Sequence, residues 1–144
     1  MATSNAATNY LERRLLHYIF KNNSLSFSSH GDSIYVGLCT AVSAAETGSV
    51  TEASFSGYAR QQVAAASWTT IGADSTDTQT AKNTSAIEFP AKADSGNVTI
   101  THVIIADASS SGNILFVGAL DASKTLAQND IFRINATNLS IELK

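Results

Sequence analysis

The strongest constraint on this chain is its C-terminal third, where strand-forming runs follow one another with only short polar turns between them. From Gly96 onward it reads VTITHVIIADA, a Ser/Gly stretch, NILFVGAL, a polar turn, IFRI and LSIEL. Residues 108–112 have the composition of a hairpin loop between the first two runs. The last run alternates, with Leu139, Ile141 and Leu143 on one side and Ser140, Glu142 and Lys144 on the other, as a strand with one buried and one wet face does. Ile104-Ile105 and Ile114-Leu115-Phe116-Val117 do not alternate and are apolar on both sides. Such strands need cover above and below, from another sheet or from another subunit. These four segments are expected to form the core sheet.

The rest of the chain is read against that sheet. Thr8 or Asn9 can cap a helix over residues 8–20, in which Leu11, Leu15, Tyr18 and Ile19 fall at i, i+4, i+7 and i+8, with Leu16 and Phe20 widening the stripe. Lys21-Asn22-Asn23 suits the helix end. About three turns of helix are marginal alone, so the stripe is expected to dock. Then follow a polar loop at 25–32, a strand at 34–40 and a long connection at 41–56, too rich in small polar residues for a core element. A second strand is expected at 58–64, with Tyr58, Arg60 and Gln62 on one face, then an exposed loop at 68–81. A short strand at 85–89 is stopped by Pro90. No helix separates the strands, which excludes a parallel βαβ sheet. The fold class is therefore mainly β: an antiparallel β-sandwich or partly closed barrel with one N-terminal α-helix, a single domain over 1–144 that is β-rich from 34 to 144.

Composition removes several function classes. Charged residues are 15% of the chain and the net charge is −3, with Lys and Arg scattered, so no basic stripe offers a nucleic-acid footprint. So little charge suits a subunit with part of its surface covered. Cys39 is alone, which rules out an intrachain disulfide and a cysteine metal cluster; within IYVGLC it reads as a small buried hydrophobe. The N-terminus lacks the pattern of a signal peptide, and no stretch approaches the ~20 apolar residues of a membrane span. Five Asn-x-Ser/Thr matches, at Asn22, Asn83, Asn97, Asn135 and Asn138, carry no meaning without secretion. A reducing cytosol is the expected place of synthesis.

No residues assemble into an expected catalytic, cofactor or metal site. His17 lies beside the helix stripe, His30 in a loop and His102 within a strand, where its ring N–H is expected to be satisfied. A Gly-x-Ser-x-Gly elbow is missing, and Gly31-Asp32-Ser33 is ordinary turn chemistry. Asp74 and Asp77 are not followed by the Gly and Glu of a calcium loop, and Glu88, Asp107 and Asp121 are separate acids at strand ends. Trp68, at the edge of the longest polar loop, admits two readings: a packed core residue or the platform of a carbohydrate site.

The segments Asn9-Tyr10-Leu11-Glu12 with Leu15-Leu16, Gly57-Tyr58-Ala59-Arg60-Gln61, Thr101-His102-Val103 through Asp107, Gly112-Asn113-Ile114-Leu115 with Gly118-Ala119-Leu120, and Lys124-Thr125 with Asp130 carry a resemblance. Together they are similar to a set of small virion structural proteins of tailed bacteriophages, over nearly the whole chain. The chain departs from that pattern at Ile104, where a Gly is common, and in a longer loop at 68–84. The resemblance implies a non-enzymatic part of the virion, assembled in the host cytoplasm. The first placement expected is capsid decoration (cement), as a homotrimer clamping the major capsid protein, because the chain is short and lacks a fibrous repeat or separate receptor module. The alternative is a tail-fibre or baseplate component, with host-glycan binding left open. Tyr10, Leu11, Arg14, Tyr58, Arg60, Ile104 and Val117 are the residues expected at contacts between copies, Tyr58 and Arg60 standing on an exposed or interfacial strand face.

Overall fold

The longest apolar runs become the longest strands. The computed structural model describes residues 5–21, 34–69, 71 and 79–143. In chain order these form β1 (Ala6–Ala7), α1 (Asn9–Lys21), β2 (Ile34–Ala44), β3 (Ser49–Glu52), β4 (Gln61–Val63), a 3-10 turn (Ala65–Ser67), β5 (Gln79–Lys82), β6 (Ile87–Glu88), β7 (Val98–Ala106), β8 (Ile114–Leu126), β9 (Arg133–Ile134) and β10 (Ser140–Leu143). The main sheet runs β1-β8-β7-β2-β3, with β4 sharing with β3 one edge of β2. Every pairing is antiparallel. The sheet curls into a half-barrel, the partly closed form among the expected architectures.

β2 and β7 lie at its centre, and both faces are buried there. Val36, Leu38, Ile100 and Val103 belong to the main core, with Phe55, Phe89, Leu126 and Phe132 packed over them. Tyr58 stacks on Phe89 at 6.3 Å, and Phe89 meets Phe132 edge-on at 5.9 Å, so aromatic rings fill the widest part of this layer. On the opposite face Cys39, Ala45, Ile104 and Val117 form a second, smaller cluster. The cover that Ile104 and Val117 require is thus supplied by their own chain. Both are buried, which corrects the expectation that they line a contact between copies.

The tail departs from the expected sheet. IFRI and LSIEL do not join β7 and β8: β9 pairs with β6 and β10 with β5, as two separate ribbons. Ile87, Ile134 and Leu139 from these segments close the main core instead. Asn83 holds the arrangement. Fully buried, it donates from Nδ2 to the carbonyls of Ser85 and Asn135 and accepts the Leu139 N–H on Oδ1 at 2.9 Å. Pairs so short cannot stand alone as sheets, and a satisfied buried amide fixes their placement.

Two stretches expected as loops are structured. β2 continues to Ala44 and turns directly into β3, with Ala53 and Phe55 buried just beyond it, because small residues suffice where two strands pair closely. Trp68 is half-buried against the main core and bridges to Asn83, and β5 follows at Gln79. Asp74 and Asp77 lie outside the described residues, as do His30, Gly31-Asp32-Ser33 and the loop at 25–32.

The helix is rooted firmly, and its apolar stripe is exposed. Thr8 is its cap: Oγ1 accepts the Leu11 N–H at 3.4 Å and donates to the Ile114 carbonyl at 2.6 Å, while its own N–H bonds Leu115. No residue of α1 is buried, and Leu15, Leu16, Tyr18, Ile19 and Phe20 are all exposed, Phe20 at 73%. Among the described residues the expected docking of the stripe is not met.

Two outcomes test this core. Leu38→Ala, at a fully buried position, is expected to lower stability by about 2–5 kcal/mol in a urea titration. Burial pushes the Cys39 thiol up to about 12, with Glu52 adding to the shift. The native chain should therefore resist alkylation at neutral pH and react once unfolded.

Candidate functional site

The polar residues most suggestive of chemistry converge where the edge of β2 is interrupted. β4 pairs with residues 34–36 of β2 and β3 with residues 39–44, which leaves a gap at Gly37 and Leu38. The Tyr58 hydroxyl fills it, accepting the Leu38 N–H at 2.9 Å and donating to Glu52 Oε1 at 2.6 Å. Arg60 completes the group with a forked contact, Nε to Oε1 and Nη2 to Oε2 of Glu52, both at 2.8 Å. Its remaining nitrogen, Nη1, donates to the carbonyls of Ala108 and Ser111 at 2.8 and 2.9 Å. One guanidinium therefore ties β3 to the tip of the β7–β8 hairpin.

Sequence and geometry agree on why these residue types are needed. A Cβ on Gly37 would lie 2.9 Å from both the Tyr58 hydroxyl and Ile104 Cγ1, so only glycine leaves room for the phenol. Gly57 takes φ +94° and a Cβ there would approach the Ala91 carbonyl to 2.8 Å, a turn that aims Tyr58 inward. On the hairpin the Asp107 carboxylate, itself buried, accepts the Asn113 N–H at 2.7 Å and its Nδ2 at 2.8 Å. The loop is pinned from both sides, and Ser109, Ser110 and Ser111 stand exposed at its tip.

Charge balance follows from these contacts. Burial raises the Glu52 carboxyl, but hydrogen bonds from Arg60 and Tyr58 outweigh it and hold the group below the usual carboxylate range. The bond to Glu52 keeps Arg60 firmly charged, and burial together with donation to Glu52 pushes the Tyr58 phenol upward. A second pin of the same kind lies nearby. Buried Lys92 donates to the carbonyls of Asp94 and Ser95 and pairs with the Asp94 carboxylate at 3.1 Å, holding that group below its ordinary range.

The expected contact residues separate accordingly. The Arg60 side chain is only 5% exposed and Tyr58 is half-buried, both engaged inside one chain, and both precede β4, which begins at Gln61. The exposed strand face expected for them is not what forms; burial of a complete ion pair with its hydrogen bonds overrides the alternation pattern. Tyr10, Leu11 and Arg14 are half-buried on α1, with the Arg14 guanidinium 5.2 Å over the Tyr10 ring. His102, held below its ordinary pKa by burial, has Nδ1 2.8 Å from the Thr101 hydroxyl, and His17 lies on the exposed helix. Glu88 forms a surface pair with Arg133, and Asp121 is exposed. Among the described residues no three His, Cys, Asp or Glu gather as metal ligands.

Reading by segment missed Glu52, which sits in a stretch taken as loop, and the Asp107–Asn113 pair. A Gly-Tyr-x-Arg quartet within an otherwise weakly charged chain was the available signal that a buried acid must exist to meet Arg60. It also missed an open groove of about 930 Å³ between the flank of β8 and residues 131–142, lined by Ile105, Phe116, Leu120, Ile131, Leu139 and Ile141 among others.

Groups saturated by their own backbone and by each other fix loops in place, and that is the chemistry of a structural scaffold. The comparison with known families is specific: a protein-family model described as podophage GP4 fiber I protein gp80 matches residues 6–142, and the chain belongs to that family. It is thus a structural protein of the tailed-phage virion type and part of the virion. No curated protein matches it.

The pin at Glu52 is testable by pH. Because the folded carboxyl titrates below its ordinary value of 4.5, its ionised form contributes stability at neutral pH. That contribution should fade as pH falls below 4.5 through the lowered folded value. Glu52→Gln should cost about 1–3 kcal/mol at pH 7, by leaving Arg60 without its counter-charge, and should flatten the acid limb of a stability–pH profile.

Proposed function

We propose that this chain is a non-enzymatic building subunit of a podophage tail fibre. The observation that carries the reading is the fibre-family match across residues 6–142, which takes in all the strands described above but for the last residue of β10. It favours the fibre alternative over capsid decoration, the placement first expected from the short chain. Shortness and the lack of a fibrous repeat lose their force here, since a fibre can be assembled from small globular modules placed end to end.

The geometry supports the same reading. Tyr58, Arg60, Asp107 and Lys92, the side chains best suited to chemistry, hold loops and strand ends of their own chain. Trp68 packs against the main core, which favours its packing role over that of a sugar platform. In this reading the partners are other copies, with a homotrimer as the arrangement expected, and neighbouring virion proteins in particles assembled in the host cytoplasm. Nucleic acid, membrane and cofactors have no part.

Gold-labelled antibody against this chain, applied to intact particles, should decorate appendages of the tail or neck. Label spread over the head shell would overturn the fibre placement and restore capsid decoration.

A further inference from the structure

We propose that the tip of the β7–β8 hairpin is a two-state element, ordered while Glu52 is ionised and released when Glu52 loses its charge. The hairpin is held in two separate places. At its base the Asp107 carboxylate takes the Asn113 N–H and side-chain amide, and the Asp107 N–H bonds the Asn113 carbonyl at 3.1 Å. At its tip the hold comes from another element: Arg60 Nη1 donates to the carbonyls of Ala108 and Ser111 at 2.8 and 2.9 Å. Ser109, Ser110 and Ser111 themselves are exposed.

Local backbone preference works against the shape of this tip. Ser111 sits at φ +52° and Gly112 at +68°, so a non-glycine residue occupies the left-handed region that L side chains avoid. The fold-back is also tight, since a Cβ on Gly112 would lie 2.6 Å from both Ala108 Cβ and Asp107 Oδ1. Arg60 bonds the carbonyl of the strained serine itself, and so offsets the cost of its conformation.

Glu52 decides whether Arg60 can do this. Its two oxygens hold Nε and Nη2 at 2.8 Å, which aims Nη1 at the hairpin. The guanidinium keeps its charge, and its side chain is only 5% exposed. With Glu52 neutral, a nearly buried cation has lost its counter-charge, and moving out to water costs less than staying. That movement frees the carbonyls of Ala108 and Ser111 but leaves the Asp107–Asn113 bonds and the sheet in place. Among the described residues, the ionisable groups around Glu52 are Arg60 and Tyr58 from the segment before β4 and Cys39 opposite it on β2, with His102 opposite Cys39 on β7. Burial pushes Tyr58 and Cys39 upward, so both stay protonated in acid. Burial also raises the Glu52 carboxyl, but the bonds from Arg60 and Tyr58 outweigh it, so release comes below pH 4.5 as acid is added. This goes beyond the fibre reading and does not depend on where in the particle the protein sits.

The test is amide relaxation by NMR on the purified full chain, read as backbone order parameters for Ser109, Ser110 and Ser111 against buried Leu38 and Val103. At pH 7 the wild-type tip should be rigid, with values of ~0.85. In Glu52→Gln at the same pH the tip should fall below ~0.6 while Leu38 and Val103 stay rigid. Arg60→Lys keeps a charge beside Glu52 but lacks the fork, and should free the tip in the same way. Acid titration of the wild type needs no variant and so survives a folding failure of either one. The Glu52 carboxyl carbon and the Ser111 amide should shift with a single midpoint below pH 4.5, before the Leu38 and Val103 signals change. His102→Asn should leave that midpoint where it is. Five results would each overturn the proposal: a tip already mobile in the wild type at pH 7, a tip still rigid in Glu52→Gln, a Ser111 shift that follows the Asp107 carboxyl carbon instead, a midpoint that moves in His102→Asn, or tip and sheet signals lost together.

Discussion

The guanidinium of Arg60 is the contact on which the arrangement of this molecule depends. It is nearly buried, and an arginine cannot lose its charge, so every group around it is fixed by the need to meet that charge. Glu52 meets it with both oxygens, and the carbonyls of Ala108 and Ser111 take the remaining donor. Three elements far apart in sequence are joined at one point: the end of β3, the turn before β4 and the tip of the β7–β8 hairpin. The Tyr58 hydroxyl belongs to the same knot and takes the Leu38 N–H where the edge of β2 is interrupted. Its other end is an aromatic ring in the main core, so polar knot and apolar layer are anchored through one side chain.

Around that knot the burial is uneven in a way that fits a building unit. One face of the half-barrel is closed by the chain's own tail, through Phe89, Phe132, Ile134 and Leu139. The opposite face buries Ala45, Cys39, Ile104 and Val117, with Ala6, Val42, Val50 and Ile114 packed against them. The helix, in contrast, is capped and bonded at its first turn and offers its apolar side to solvent. A polar cap at the root and greasy residues beyond it separate two tasks: fixing where the helix starts, and leaving its surface available. A subunit of a fibre family has use for both, since its own fold must hold while a surface remains to be covered.

Much of this was legible along the chain, and the failures have physical causes. Strands at β2, β7 and β8 announce themselves because β-branched residues on both faces have few other fates. The helix follows from its spacing and its cap from Thr8 or Asn9, between which the structure chooses Thr8. IFRI and LSIEL carried an equally clear strand signal, yet alternation reports only that one face is wet; it does not name the neighbouring strand. Residues 41–56 read as a loop because small polar residues mark loops on average, whereas in the fold residues 41–44 and 49–52 pair closely in β2 and β3 with Glu52 at the end. Tyr58 and Arg60 were placed on an outer face because period two assumes that one side of a strand is wet, and an ion pair with complete hydrogen bonding removes that assumption.

The sequence by itself determined that this chain is mainly antiparallel β with one helix at its start, and that it shares its motifs with virion proteins of tailed phages. Those properties are local: they depend on which residues recur at a spacing of two or four. Only the tertiary structure decided that Gly37 makes room for a phenol, that Asn83 pins the tail, that Arg60 faces inward and that a groove opens beside β8. Each of these joins residues tens of positions apart. Which distant partner a buried charge or amide meets is fixed by how the whole sheet curls, and no short window of sequence contains that information.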